Sequence, residues 1–215
     1  MRPRRIALVA SLAVILVAGC GGGDGDDETT SAALPAGCSQ GAAPQPKQVQ
    51  LPPPRTTLSG PATATVETSC GSFTIALDTE RAPKTASSFA YLARRGVYDD
   101  TLFHRIIPGF VVQGGDPQGS GTGGPGYSVD EPPPRNLSYT QGIVAMAKSQ
   151  AEPPGRSGSQ FFVVTAADAG LTPDYALVGR VSSGLDVVQQ IEQLGTSSGR
   201  PKAPVIIKRV MIQSG

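Results

Sequence analysis

At 215 residues the chain has room for one well-packed domain plus extra sequence, and 18 basic side chains against 17 acidic ones leave a net charge of +1. That balance, with aromatics at 5%, excludes the basic face of a nucleic-acid binder and the strong field of an electrostatic funnel. A single histidine, His104, among dispersed acids gives no recognisable metal-ligand set, so neither a metal nor a cofactor is expected.

Residues 1–20 start with Arg2, Arg4 and Arg5, continue through an uncharged run and end in Val17-Ala18-Gly19-Cys20. This is the layout of an export leader rather than of a structural element. Small residues directly before a cysteine resemble the bacterial lipoprotein signal, which implies a diacylated Cys20 as the new N-terminus and a membrane partner reached through that lipid. A transmembrane anchor is the alternative, although the apolar run is short for a span. Either way the domain lies outside the cytoplasm.

Beyond Cys20 the chain to about residue 59 is rich in Gly, Asp, Ala, Gln and Pro without an apolar period. Too little surface is available there to offset the entropy of ordering, so the expected organisation is a leader over 1–19, a flexible tether over 20–59 and one domain over 60–215. Asp24, Asp26, Asp27 and Glu28 read as a solvated acidic run, since they lack the spacing of a calcium loop. Pro52-Pro53-Pro54 favours an extended approach to the domain.

The domain is expected to open with a hairpin of strands 63–68 and 73–77 around Cys70-Gly71. A helix should follow over 83–95, with Pro83 in its first turn, Ala86, Phe89, Ala90 and Ala93 on one face and Gly96 at its end. Two apolar runs, 102–107 and 110–113, flank Pro108-Gly109 and read as a second hairpin. Alternation pairs Phe103 with Arg105 and Val111 with Gln113 on shared faces. That pattern fits a ligand groove; it also fits an ordinary amphipathic hairpin with Arg105 and Gln113 solvated. Gly119, Gly121 and Gly124 match the spacing of a dinucleotide-binding loop, but Pro125-Gly126 follows instead of a helix, so the stretch reads as a flexible surface loop. Strands are expected again at 142–147, 160–165, 176–181 and 205–212. Before the last of these, Ser183 and Asp186 suggest a capping box for a helix carrying Val187, Val188, Ile191 and Leu194.

Three separated motifs are more specific than any of these patterns. Tyr98, Phe103-His104-Arg105, Phe110 and Gln113-Gly114-Gly115, then Met146-Ala147, then Gly158-Ser159-Gln160-Phe161-Phe162-Val163 resemble the signature of cyclophilin-type peptidyl-prolyl isomerases over residues 63–212. The resemblance implies an all-β fold, a closed eight-stranded antiparallel barrel with a helix at either end, acting as a monomer. It also implies an enzyme that rotates X-Pro bonds and takes proline-containing segments as partners. On the matching positions it implies Arg105, Gln113 and Phe110 as the catalytic set, with Gln113 holding the substrate backbone and orienting Arg105. It implies apolar lining from Val111, Phe162 and Leu171, further substrate contacts from Gln160 and Tyr175, and a peptide-pairing edge at Ala147-Lys148. Gly170, Tyr175 and Lys148 depart from the tryptophan, histidine and asparagine frequent in the family. Since the family places both Phe110 and Gln113 in the pocket despite their odd spacing, a bulge or strong twist is expected between them.

The chemistry available agrees with that activity. No Gly-x-Ser-x-Gly elbow occurs, and His104 reads as a packed core histidine rather than a general base. The competing class is a peptide-binding module on the same fold. An exported chain whose Cys20 is lipidated keeps Cys38 and Cys70, which an oxidising compartment would join. The alternative leaves Cys70 partly buried and Cys38 reduced. Because neither belongs to the groove motifs, reduction is expected to spare the activity.

Overall fold

The computed structural model describes residues 34–215, so the expected leader, Cys20 and the acidic run at 24–28 lie outside the described residues. The domain opens on strands β1 (Ala62–Thr68) and β2 (Gly71–Leu77). Thr68 pairs with Gly71, so the turn is Ser69-Cys70, one residue earlier than expected. The reason is the Thr68 hydroxyl, which accepts the Cys70 N–H at 2.9 Å and donates to the Gly71 carbonyl at 2.8 Å. Gly71 supplies the φ of +115° that closing this turn requires.

Helix α1 (Pro83–Arg94) buries Ala86, Phe89, Ala90 and Ala93 as the periodicity demands. Its own N-cap offers no side chain; the carboxylate of Glu131 accepts the Lys84 and Thr85 N–H groups at 3.0 and 2.7 Å instead. Next come β3 (Thr101–Leu102), β4 (Arg105–Ile107), β5 (Val111–Gly114) and β6 (Val129–Asp130). They are followed by β7 (Ile143–Met146), β8 (Arg156–Ser157), β9 (Phe161–Val164) and β10 (Leu177–Ser183). The chain closes with α2 (Leu185–Glu192) and β11 (Ile206–Ser214). The expected capping box at Ser183 does not form. Ser183 ends β10, Gly184 turns left-handed at φ +75°, and its carbonyl accepts the Val187 N–H at 3.1 Å.

Strands β6 and β8 pair by themselves, and the other nine form one antiparallel sheet in the order β3-β11-β1-β2-β10-β7-β9-β5-β4. The expected closed eight-stranded barrel is corrected here to an open, strongly curled half-barrel. Its edge strands β3 and β4 follow one another in the chain, yet no ladder joins them; an isolated bridge from Leu102 to Asp116 spans the gap. Between them Phe103 donates its N–H to the Val205 carbonyl at 2.9 Å and buries its ring, 1% exposed, against Phe73 and Phe161. Residues 103–104 are not strand and Phe103 joins the inner core with Ile106, so Phe103 and Arg105 do not share a strand face.

Strands β5, β7 and β9 alternate between two apolar clusters. Val112, Val144, Met146, Phe161 and Val163 enter the large inner core with Phe73, Phe89 and Ile191. Val111, Ile143, Ala145, Phe162 and Val164 face outward into a second cluster. Both faces of these short strands are therefore covered, which is why they read as continuous apolar runs.

Residues 34–59, expected as part of a tether, contain no helix or strand but lie along the domain. Cys38 and Cys70 are joined, with a sulfur–sulfur distance of 2.06 Å. Ser39 donates its N–H to the Ser69 carbonyl at 2.7 Å, and Leu58 donates its N–H to Ser87 Oγ at 2.7 Å. Leu34, Val49, Leu51 and Leu58 pack half-buried on the inner core. A proline-rich extended chain has few donors of its own, and domain carbonyls and a hydroxyl accept those of Ser39, Lys47, Leu51 and Leu58.

Candidate functional site

The site is one row of cross-strand neighbours on the outer face of the sheet. Arg105 pairs with Gln113, Gln113 with Phe162, and Phe162 with Ala145, across β4, β5, β9 and β7. A strand period of two keeps each of these side chains on the face opposite the inner core. Sequence separations of 8 and 49 residues thus collapse into adjacent positions.

The polar members form a chain of hydrogen bonds. Arg105 Nη1 donates to Gln113 Oε1 at 3.1 Å, Gln113 Nε2 donates to Gln160 Oε1 at 3.1 Å, and Gln160 Nε2 donates to the Gly123 carbonyl at 3.0 Å. Arg105 also stands over Phe110, with Cζ 5.8 Å from the ring centroid. The guanidinium is half-buried, held by an amide on one side and an aromatic face on the other. Its remaining N–H groups can serve a ligand.

Phe110 reaches this face without a bulge in β5. The β5–β9 register is regular from Val111 to Gly114, and Phe110 sits before the strand, in the turn begun by Pro108-Gly109. Its carbonyl accepts the N–H groups of both Thr165 and Ala166, at 2.9 and 3.3 Å. The odd spacing from Gln113 is absorbed there, outside the ladder.

Apolar walls complete the groove. Phe162 stands edge-on to Tyr175 at 5.4 Å between centroids, and Tyr175 edge-on to Tyr139 at 5.9 Å. Val111 and Phe162 are 2% and 4% exposed, so they form the floor, while half-buried Phe110, Leu171, Ala147 and Tyr175 form the rim. Sequence reasoning missed Tyr139, which lies in irregular chain where no periodicity marks it. Its hydroxyl donates to the Tyr175 carbonyl at 2.6 Å and accepts the Tyr175 N–H at 3.0 Å, locking that rim residue. Burial pushes its phenol up to about 12. At the other edge the Ala147 N–H is already given to the Gln160 carbonyl at 2.8 Å. Lys148 donates to the Ser149 and Glu152 carbonyls at 3.3 and 3.1 Å, with Nζ 5.5 Å from the Tyr175 ring centroid.

Asp116 was also missed, because its carboxylate works mainly on backbone. Only 1% exposed, it accepts N–H groups from Gln118, Gly121 and Gly123 at 2.8, 2.6 and 3.1 Å, and the Ser120 hydroxyl at 3.2 Å. Burial alone would raise its pKa, but these donors outweigh it and the net shift is downward. The glycine-rich stretch is thus gathered around one carboxylate, with no helix to bind a pyrophosphate. A Cβ on Gly123 would overlap Asp116, so the close approach requires glycine at that position. The loop then walls a cavity of about 710 Å³ whose floor is Gln113 and Gln160.

His104 lies beside this loop, half-buried, with Nδ1 buried and lacking a hydrogen-bond partner among the described residues. Burial lowers its pKa, and the nearby Asp116 charge partly opposes that. A guanidinium, two amides and an aromatic floor can bind and polarise a peptide group without covalent chemistry.

Comparison with known proteins points the same way. The family model described as "Cyclophilin type peptidyl-prolyl cis-trans isomerase/CLD" matches residues 63–212. Peptidyl-prolyl cis-trans isomerase-like 1 of Aspergillus niger is 44% identical over 151 residues, which span 68% of this chain and 91% of that protein. The Aspergillus fumigatus protein of the same description is 42% identical over 155 residues, 69% of this chain and 94% of that one. A crystal structure of a cyclophilin type peptidyl-prolyl cis-trans isomerase from Cryptosporidium parvum, in the presence of the dipeptide Ala-Pro, has a TM-score of 0.65 at 32% identity, covering 71% of this chain and 99% of that one.

Proposed function

The chain belongs to the cyclophilin-type peptidyl-prolyl cis-trans isomerases and is an enzyme of X-Pro bond rotation, and from that premise we propose that the outer-face groove is where the bond turns, with Arg105 as the catalytic donor. The observation that carries this reading is the row in which Arg105, Gln113 and Phe162 are cross-strand neighbours.

The barrier to rotation, about 18–20 kcal/mol, is amide resonance, which gives the planar bond its polarity. The apolar floor of Phe162 and Val111, with Phe110 and Leu171 at the rim, takes the proline ring out of water and disfavours the polar planar ground state. As the bond twists, the prolyl nitrogen regains its lone pair. Arg105, oriented by the Gln113 carbonyl oxygen, donates to that lone pair. A donor used chiefly in the twisted state accelerates the reaction rather than merely tightening binding. Gln113 and Gln160 hold the substrate backbone, and the peptide runs along the Ala147-Lys148 edge beside Tyr175. No cofactor enters the scheme.

The test is a protease-coupled assay on an Ala-Pro peptide. Arg105→Ala is expected to lower kcat/KM tenfold or more, equivalent to about 1.4 kcal/mol of barrier. Equal rates for both proteins would remove Arg105 from the mechanism.

The clients in this reading are proline-containing segments of exported proteins, met by a monomer held to the outer face of a bacterial membrane through lipid on Cys20. The leader over residues 1–19, ending before Cys20, supports this, and the Cys38–Cys70 bond is what an oxidising compartment favours. The relatives named above are eukaryotic and the family-model match begins at residue 63, so the anchor rests on the leader itself. Two acyl chains on one cysteine give the anchoring that a single chain does not. Mass spectrometry of the mature N-terminus is expected to find lipid on Cys20, and membranes to retain the protein. A mature chain starting elsewhere and recovered free in the medium would refute the anchor.

A further inference from the structure

The stretch 47–51 lies outside the span matched by the family model, yet it grips the loop that ends the hydrogen-bond chain from Arg105. The Lys47 N–H donates to the Pro117 carbonyl at 2.8 Å, and the Leu51 N–H donates to the Pro125 carbonyl at 2.9 Å. Both shoulders of the glycine-rich loop are therefore tied to one short segment. Side chains reinforce the pairing. Gln118 Nε2 donates to Gln48 Oε1 at 3.1 Å, and Gln50 packs so closely that a Cβ on Gly126 would stand 2.6 Å from its amide carbon.

The segment is itself anchored. Lys47 Nζ donates to the Gly96 carbonyl at 3.3 Å and to the Asp99 carbonyl, beyond the end of α1. Val49 and Leu51 are half-buried against the inner core. Inside the loop, Gly123 presents the carbonyl that accepts from Gln160, which accepts from Gln113, which accepts from Arg105.

We propose that Lys47 and Leu51 are positioning residues for Arg105, acting through the 117–125 loop and Gln160, so that the segment before the family domain is a working part of this isomerase's site. This rests on the reading of Arg105 as the catalytic donor. Clamping both shoulders of the loop holds the Gly123 carbonyl where Gln160 meets it. Gln160 in turn fixes the amide orientation of Gln113, whose oxygen must face the guanidinium. Release of the clamp lets that orientation relax, and the Arg105 donor spends less time aimed at the prolyl nitrogen.

A double-mutant cycle in the full chain, assayed on an Ala-Pro peptide, decides this. Lys47→Met keeps the backbone donor but frees the segment from the Gly96 and Asp99 carbonyls, and is expected to lower kcat/KM about fivefold, through kcat more than KM, because the lost positioning serves the twisted state. In a Gln160→Met background, where the relay is already cut, the same substitution should add less than about twofold. Lys47→Arg, which keeps the charge and the donors, should restore most of the rate. Leu51→Pro removes the second clamp's donor together with the Leu51 side-chain packing, and carries the same cycle if Lys47→Met fails to fold. Equal losses in both backgrounds, or full activity in the clamp variants, would overturn the proposal. If Arg105→Ala slows the enzyme and the clamp variants do not, this inference alone fails; if Arg105→Ala has no effect, the catalytic reading beneath it fails.

Discussion

Replacing Phe161 with alanine is expected to cost about 3–5 kcal/mol of stability, a large share of the roughly 5–15 kcal/mol that holds a typical domain together. The ring is fully buried and meets Phe89, Tyr98 and Phe103 edge-on at 5.3, 5.5 and 6.0 Å between centroids. Its removal takes one partner from three aromatic pairs at once. It also leaves a void walled by curled sheet and α1, neither of which can collapse cheaply. Denaturant unfolding measures the loss, and a cost below about 1.5 kcal/mol would mean that the core repacks around the vacancy. Phe162, one residue on, belongs to the outer cluster with Tyr139 and Tyr175. Its alanine variant should therefore reveal itself first in kcat/KM. Adjacent phenylalanines with separate readouts follow from strand alternation, since each serves a different cluster.

Removing the Cys38–Cys70 bond by a double serine substitution is expected to cost about 3–4 kcal/mol in the chain-entropy model. The bond spans 32 residues, and a cross-link of that length restricts the unfolded chain substantially. The full cost appears only if the N-terminal segment stays docked without the bond. Ser39 should hold it, since both its N–H and its Oγ donate to the Ser69 carbonyl, at 2.7 and 3.1 Å. Urea unfolding of the oxidised protein and the variant gives the difference, and a loss below about 1 kcal/mol would show that the segment frays and regains the entropy in the folded state. The separation of these cysteines from the groove, expected from their absence in the motifs, is incomplete in space. The same segment continues to Lys47 and Leu51, which hold the loop beside Gln160.

The outer-face row was legible only in part. Alternation put Val111 and Gln113 on one face, and the ladder places both there. Applied to Phe103 and Arg105, the same rule failed, because the chain between β3 and β4 is not a strand and Phe103 turns inward. Local periodicity cannot see where a ladder stops. The direction of the Phe103 ring is a matter of packing against residues such as Phe161, far away in sequence.

The family was legible in the residues alone, through three motifs whose residue types are too specific for strand composition to produce, and so were the sites of most elements, because apolar periodicity and glycine or proline punctuation are local properties. The rest depends on contacts between residues far apart in the chain. The sheet stays open because no ladder forms between β3 and β4, Phe110 reaches the groove from a turn, and Tyr139 locks the rim through the Tyr175 backbone. Asp116 gathers a loop that composition describes only as rich in glycine. Residues 34–59, which have too little apolar surface to fold alone, are ordered by what the domain offers them: a sulfur at Cys70, carbonyls at Pro117 and Pro125, and an apolar surface for Leu51. Composition weighs a segment against water, whereas these residues are satisfied by partners tens of residues away, and a chain's partners exist only once it has folded.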